Sequence, residues 1–358
     1  MHIQIRNFII RRGRAVFAMA ALTIMFAQNI QAAEFLENKI ELHGYGHQGF
    51  LLTDGNKYLH AGDQGTFNNN ALALLFSVKA TEDVTIWAQL FSNLNDFRLD
   101  WAFVDYQLGN DFQLRAGQIK TPIGIYNEIR DIKYLQLSTL EPLIYQEELR
   151  MTHEAFRGAS MLYNLDVAGG NLELDIYGGQ QVNFDENPEL EFNQLIGTRV
   201  TYKTALDGLS IMGSAYSSKA EEKDTTTGAT LNDGRNNLWM ASVNYQNNDI
   251  DLKAEYAEMK MLDEKLSGYY LQGGYTFFDK LTPFIRYDYL TTDKDQKSDP
   301  AFYQKDITFG VGYKFNSNVA AKIEDHIVRG FALPFIADNT GTYEKNWNLF
   351  AASINFMF

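Results

Sequence analysis

Apolar and polar side chains alternate with a period of two along most of this 358-residue chain. The alternation is clearest at the end of the chain, where one face carries Phe350, Ala352, Ile354, Phe356 and Phe358. Residues 307–315 repeat it, with bulky side chains on one face and threonine, glycine and lysine on the other. Because successive side chains of a β-strand point to opposite faces, this period predicts strands.

The same pattern predicts sixteen strands, separated alternately by short turns and longer connections. The short turns are rich in Asn, Asp and Gly, which tight hairpins require. An even strand count places both ends of the strand-forming region on the short-turn side. The predicted strands are residues 39–52, 67–80, 84–92, 97–109, 112–118, 158–166, 171–181, 194–204, 208–217, 237–247, 250–259, 268–278, 281–292, 305–316, 319–329 and 346–358. The longer connections include residues 53–66, 119–157, 182–193, 218–236, 293–304 and 330–345.

Alternation alone does not separate a soluble β-sandwich from a membrane barrel. Three further features favour the barrel. The predicted strands are mostly about 10–13 residues long, enough to cross a bilayer when tilted. Short turns and long connections lie on opposite sides, as outer-membrane barrels require. Tyr and Phe cluster near strand ends, for example Tyr245 and Phe315. Since an open sheet edge is not tolerated in hydrocarbon, the sheet must close. We therefore predict an all-β fold, a 16-stranded antiparallel transmembrane β-barrel.

The first 33 residues have a different character. Four arginines and no acidic residue precede an apolar run, Ala15–Ala27, which small residues follow. This order is typical of a secretory signal peptide. We predict a cleaved signal peptide over residues 1–33 and a barrel domain over residues 34–358. Beyond the signal, the longest apolar run is Ala71–Phe76, too short for a helical membrane span.

Composition and charge narrow the function further. The chain has no cysteine, which excludes disulfides, thiolate metal sites and a thiol nucleophile. Its net charge is -14 and becomes -18 once the four arginines of the signal are removed, so a nucleic-acid binder is excluded. His43 and His47 share a strand face but lack a third ligand, and we predict neither a metal site nor a cofactor.

The signal peptide, sixteen strands, alternating connections and terminal Phe358 together resemble Gram-negative outer-membrane porins. The stretch Arg115–Gly124 (RAGQIKTPIG) resembles the strand entering the third loop of 16-stranded porins related to the phosphate-selective porins O and P. The resemblance implies a homotrimer of water-filled channels and a long third loop folded into the lumen. It also implies that Phe356 and Phe358 are part of a signal for the barrel-assembly machinery. The dense basic ladder expected of the phosphate-selective members is missing, so phosphate selectivity is not expected.

The third loop, residues 119–157, needs a physical reason for its length. Its Ile, Leu and Tyr content favours packing inside the lumen over exposure at the surface, although a solvated surface loop is the alternative. Charged residues of this region and of the opposing wall are the predicted pore-lining and constriction residues. They are Arg115, Lys120, Glu128, Arg130, Asp131, Arg199 and Arg286. We expect the segment to face Arg115, Arg199 and Arg286; the alternative is that the wall charges merely pair with one another.

Passive diffusion of small hydrophilic solutes and ions through a water-filled outer-membrane channel is the leading function. A substrate-selective channel for anions or organic acids, and a structural or adhesive barrel with a blocked lumen, are the alternatives. A barrel enzyme is not expected, because neither His153 nor His326 shows a local Ser–His pattern. The expected partners are outer-membrane lipid, lipopolysaccharide, the assembly machinery and identical chains.

Overall fold

A computed structural model describes residues 33–35, 40–93, 96–146, 151–182, 190–224, 226–262, 264–334, 339 and 343–358. Residues 1–32 of the predicted signal peptide lie outside the described residues. Within the described part, sixteen long strands follow a short strand at Ala33–Phe35. No helix there is long and apolar enough to cross a membrane.

Most strand bounds lie within a few residues of those that the alternation predicts, and the strand over 84–92 agrees to the residue. In chain order the strands are β1 (Ala33–Phe35), β2 (Ile40–Thr53), β3 (Thr66–Lys79), β4 (Val84–Ser92), β5 (Phe97–Leu108), β6 (Phe112–Lys120), β7 (Ala155–Val167), β8 (Gly170–Gln181), β9 (Leu190–Lys203), β10 (Leu209–Lys223), β11 (Thr230–Gln246), β12 (Ile250–Met261), β13 (Glu264–Tyr275), β14 (Leu281–Thr291), β15 (Tyr303–Lys314), β16 (Val319–Gly330) and β17 (Asn346–Met357).

The sheet closes on itself. Each of the strands β2–β17 pairs antiparallel with its chain neighbours, and β17 pairs with β2 to complete the circle. At the seam, the amide of Gly44 donates to the carbonyl of Phe358 at 2.9 Å and the amide of Phe358 donates to the carbonyl of Gly44 at 2.8 Å. The prediction of a closed 16-stranded antiparallel barrel is confirmed.

The two faces of the wall differ in the sense opposite to that of a soluble protein. Along β14, Ile285 is 49 % exposed whereas the next residue, Arg286, is 1 % exposed. On β13, Leu271 is 57 % exposed and Gln272 only 5 %. A soluble sandwich buries its apolar face, whereas on β13 and β14 the apolar side chains are exposed on the outside and the polar ones are enclosed. This arrangement suits a hydrocarbon surround and a polar interior.

Two predicted connections are much shorter than expected. Residues 218–236 are mostly strand, because β10 continues to Lys223 and β11 begins at Thr230. Likewise only two residues separate β12 from β13. Ion pairs support the extension, including Lys223 with Glu191 on β9 at 2.5 Å. The sequence predicts loops here because these polar stretches lack an apolar face. Strand ends that extend beyond the apolar band into water do not need an apolar face.

Phe356 and Phe358 lie beside glycines of β2. The Phe358 ring covers Gly44 and the Phe356 ring covers Gly46, so closely that an added Cβ at either glycine would overlap the ring. An aromatic side chain that covers a glycine on a neighbouring strand fixes the register of that pair. The two predicted assembly residues therefore lie at the barrel seam.

Deleting Phe358 is expected to lower the amount of folded barrel in membrane fractions. The deletion removes two backbone hydrogen bonds and a ring contact at the seam, together worth about 2–4 kcal/mol. Heat-modifiable migration on gels measures the folded fraction. Phe278→Ala is the control, since Phe278 is 89 % exposed in a turn. Normal levels of folded protein without Phe358 would show that the residue is dispensable for assembly.

Candidate functional site

The connection between β6 and β7, residues 121–154, is called the β6–β7 segment below. It is described for residues 121–146 and 151–154 and contains three short 3-10 turns, at Asn127–Ile129, Lys133–Leu135 and Leu143–Tyr145. Its apolar side chains pack against the barrel, and Ile123, Ile144 and Tyr145 are almost fully buried. The segment is therefore an ordered part of the structure.

A buried charge cluster holds the base of the segment. Lys120, the last residue of β6, bonds Asp131 and Glu154 of the segment and lies 3.4 Å from Asp100 of β5. The three carboxylates approach within 4.8 Å of one another, which is the spacing of a cation site. The lysine ammonium is the cation bonded there. Arg98 adds a second positive charge, 3.4 Å from Asp100 and 3.7 Å from Glu154.

The carboxyl groups of Asp131 and Glu154 differ in pKa. Burial opposes ionisation of Asp131, but the attraction of Lys120, assisted by Arg130 and Lys133, outweighs it and lowers the pKa of Asp131 to about 2. Burial raises the pKa of Glu154, even though the nearby Lys120 acts in the other direction. One lysine therefore stabilises the charge of Asp131 fully and that of Glu154 incompletely.

A second anchor lies at Glu255 of β12. Its carboxylate accepts hydrogen bonds from the hydroxyls of Tyr145 at 2.7 Å, Tyr270 at 2.8 Å and Ser242 at 2.6 Å. The backbone amide of Ile125 donates a fourth, at 2.9 Å. The chain reaches this position through Gly124, whose φ is +58°. An added Cβ at Gly124 would collide with the Tyr145 hydroxyl, so the turn requires glycine.

A third anchor joins the segment to β16 and β17. Glu324 accepts hydrogen bonds from the Ser138 hydroxyl at 2.6 Å and from the Thr139 amide at 2.8 Å. The Thr139 hydroxyl also lies 2.8 Å from that of Ser353 on β17. These contacts satisfy backbone and hydroxyl groups that would otherwise be buried without partners.

Arg286 and Asp288 of β14 form a fourth anchor. Arg286 donates to the carbonyl of Leu140 at 2.9 Å and to Asp288 at 2.6 Å. Asp288 in turn accepts from the amide of Leu143 at 3.0 Å. A carboxylate and a carbonyl that both bond a buried arginine hold its side chain in one position.

Inside the segment, Glu141 links two basic residues. Arg130 lies 3.1 Å from Glu141 and also donates to the Tyr145 carbonyl at 2.8 Å, while Lys133 lies 2.7 Å from Glu141. Burial opposes ionisation of Glu141, but Arg130 and Lys133 outweigh it and lower its pKa. Arg130 thus stabilises the fold of the segment itself.

The three arginines predicted to form one wall have different surroundings. Arg199 of β9 contacts Glu128 of the segment at 2.5 Å and Asp175 of β8 at 3.1 Å. Arg115 of β6 approaches Asp105 at 3.6 Å and donates to Gln113 at 3.1 Å, on strands rather than on the segment. The exposed fractions of the side chains are 24 % for Arg115, 14 % for Arg199 and 1 % for Arg286. Arg115 and Arg199 are therefore hydrated, whereas Arg286 is enclosed.

Several anchoring residues were not assigned that role from the sequence. Asp288, Glu255 and Glu324 stand on the polar faces of their strands, which marks them as inward-facing but does not reveal their partners. Ser138 and Thr139 carry no distinguishing signal in the sequence. Their partners are more than 180 residues away along the chain, and only the closed barrel brings them together.

Comparison with solved structures gives matches of barrel proteins over nearly the whole chain. An anion-selective porin from Comamonas acidovorans has a TM-score of 0.60 at 12% identity, covering 92% of this chain and 100% of that one. The outer membrane channel DcaP of Acinetobacter baumannii has a TM-score of 0.56 at 12% identity, covering 90% and 100%. The trimer form of OmpT, an outer membrane protein of Vibrio cholerae, has a TM-score of 0.55 at 11% identity, covering 89% and 99%.

No family model and no curated protein matches the sequence. At these identities the structural likeness concerns the fold. The chain therefore has the 16-stranded barrel fold of outer-membrane porins.

Proposed function

We propose that this chain is an outer-membrane porin that conducts small hydrophilic solutes and ions by passive diffusion, without enzymatic activity. The observation that carries the proposal is the hydrated charge on the inward face of β5–β9. Arg115 and Arg199 keep part of their surface exposed there, and Lys203 on the same face of β9 is 57 % exposed. The exposed parts of these charged side chains need water around them, and a water-filled lumen supplies it.

The same proposal assigns the β6–β7 segment to the lumen, where it narrows the passage. Support comes from its polar contacts, which reach inward-facing side chains on β12, β14, β16 and β17. A segment bonded to strands so far apart must cross the interior. The open part of the passage then lies between the segment and β5–β9, and the pair Glu128–Arg199 bridges it.

The hydrated charges favour a general channel over a phosphate-specific one. Each basic residue on this wall has an acidic partner: Arg115 pairs with Asp105, Arg199 with Asp175 and Lys203 with Glu173. Paired charges order water and polar solutes but leave little net field to select ions of one sign. Weak ion selectivity therefore follows.

The assembly and export of the protein are part of the proposal. Residues 1–33 act as a cleaved signal peptide, and the seam residues Phe356 and Phe358 engage the barrel-assembly machinery. A homotrimer is supported by the trimeric form reported for the structurally similar Vibrio cholerae protein. The apolar outer face contacts outer-membrane lipid and lipopolysaccharide.

Planar-bilayer recording in a salt gradient tests the channel and its selectivity together. The intact protein should give stepwise conductance with a small reversal potential. Arg199→Gln leaves Glu128 and Asp175 without their shared counter-charge, so the reversal potential should shift toward cation preference. Glu128→Gln should shift it the other way.

Lys280→Gln is the matched control, because Lys280 is exposed in the turn between β13 and β14 and should leave the reversal potential unchanged. Equal potentials for all four proteins would remove Arg199 and Glu128 from the passage. A complete lack of conductance would favour a blocked, structural barrel.

A further inference from the structure

Two basic residues stand directly opposite each other on the outer face of the barrel. Lys305 of β15 and Arg329 of β16 are register partners, and the next outward pair along these strands is Ile307 and Ile327. Ile307 and Ile327 are 37 % and 51 % exposed, which identifies the outward face. Like charges directly opposite on neighbouring strands destabilise a sheet. Within the described residues, neither Lys305 nor Arg329 has a carboxylate partner within salt-bridge distance.

The pair borders a groove of about 360 Å³ on the outer surface. Ile307, Ile327 and the ring of Tyr287 form its apolar part, while Lys305, Arg329 and Asn346 form its polar part. The Lys305 ammonium lies 5.4 Å from the ring centre of Tyr303 and 5.6 Å from that of Tyr289. These cation–π contacts hold the charge at the level of the aromatic side chains.

The groove lies at one end of the barrel. Lys305 is the third residue of β15 and Arg329 the last but one of β16, so both stand at the end from which the β14–β15 and β16–β17 connections leave. The short turns and the Phe358 terminus lie at the other end. In the orientation of the proposed porin, with both ends of the barrel chain in the periplasm, the groove faces the outer leaflet.

We propose that this groove binds the phosphorylated headgroup of an outer-leaflet glycolipid, lipid A, with an acyl chain along Ile307 and Ile327. A phosphate carries about -1.5 to -2 charges at neutral pH, which matches two adjacent cations. An anion between Lys305 and Arg329 also relieves their mutual repulsion. The exposed isoleucines directly below favour a phosphate attached to a lipid over free phosphate. The inference rests on the proposed outer-membrane location.

Native mass spectrometry of the purified, folded barrel with added diphosphoryl lipid A tests the site. The double variant Lys305→Gln/Arg329→Gln should bind lipid A at least about tenfold more weakly, because it lacks both basic residues that attract the lipid phosphates. Lys280→Gln, at the opposite end of the barrel, should bind as the unmodified protein does. Heat-modifiable migration verifies that each variant is folded.

Two further binding measurements determine whether the phosphates and the lipid part of the ligand are both required. Dephosphorylated lipid A should bind the unmodified protein as weakly as diphosphoryl lipid A binds the double variant. Inorganic phosphate in excess should not displace the lipid. Equal lipid retention by the double variant, or displacement by inorganic phosphate alone, would overturn the proposal. Bilayer conductance of the double variant should match that of the unmodified protein, so loss of the lipid site and failure of the channel are distinguishable.

Discussion

Shortening the β6–β7 segment between Gly124 and Arg150 with a glycine–serine linker is expected to raise single-channel conductance by roughly twofold or more, because a 16-stranded barrel without an inward segment encloses a wide aqueous lumen. The shortened chain loses the contacts to Glu324 and Asp288 and uncovers both carboxylates.

A matched deletion at the β10–β11 connection, residues 226–229, provides the control. That connection is an exposed turn beyond the strand ends, and its removal should leave conductance unchanged. If the shortened β6–β7 segment gave the conductance of the intact protein, the segment would not set the narrowest part of the passage.

Replacing Lys120 with methionine is expected to destabilise the barrel by about 3–5 kcal/mol, because removing one partner of a buried ion pair leaves the other charge uncompensated. Asp100 and Glu154 would keep Arg98 as a basic neighbour, and Asp131 would keep only the attraction of Arg130 and Lys133. The urea concentration or temperature at which heat-modifiable migration is lost gives the stability. Lys203→Met is the control, because Lys203 is 57 % exposed and its pair with Glu173 should contribute no more than about 1 kcal/mol.

The pH dependence of stability, measured for the intact protein and for Lys120→Met, gives an independent check. In the intact protein the pKa of Asp131 is lowered to about 2, so its stabilising charge is fully present above the unfolded pKa of about 4 and is lost as the pH falls toward 2. In Lys120→Met, acid instead protonates carboxylates that repel one another. Its stability deficit should therefore shrink as the pH falls from 7 to 4. A variant as stable as the intact protein at pH 7 would show that Lys120 does not hold the base of the segment.

The barrel was predictable because the membrane imposes one repeated requirement, an apolar outward residue at every second position. On β4 the rule holds from Val84 to Leu90. Where the strands leave the apolar band the requirement no longer applies, and for the polar strand ends around residues 218–236 the sequence predicts a loop. The membrane pattern thus fixes the number and pairing of strands but not their lengths above the bilayer.

The interior was predictable only in part. The alternation predicts that Arg115, Arg199 and Arg286 face inward, but it does not predict which residues cover each side chain. Arg286 is enclosed because Leu140, 146 positions earlier, lies over it, and that contact depends on the path of the β6–β7 segment. Likewise the sequence predicts Lys120 as a charge of the constriction, but not its three carboxylate partners, which come from β5 (Asp100), from within the segment (Asp131) and from the segment's last residue (Glu154).

Solute entry into liposomes tests the central claim most directly. Liposomes containing the purified protein, placed in isotonic solutions of uncharged sugars, should swell at rates that fall steeply as the sugar grows larger. Liposomes without protein should not swell on this time scale. If the protein-containing liposomes swelled no faster than the empty ones for the smallest sugar, the lumen would be closed and the passive channel would be contradicted.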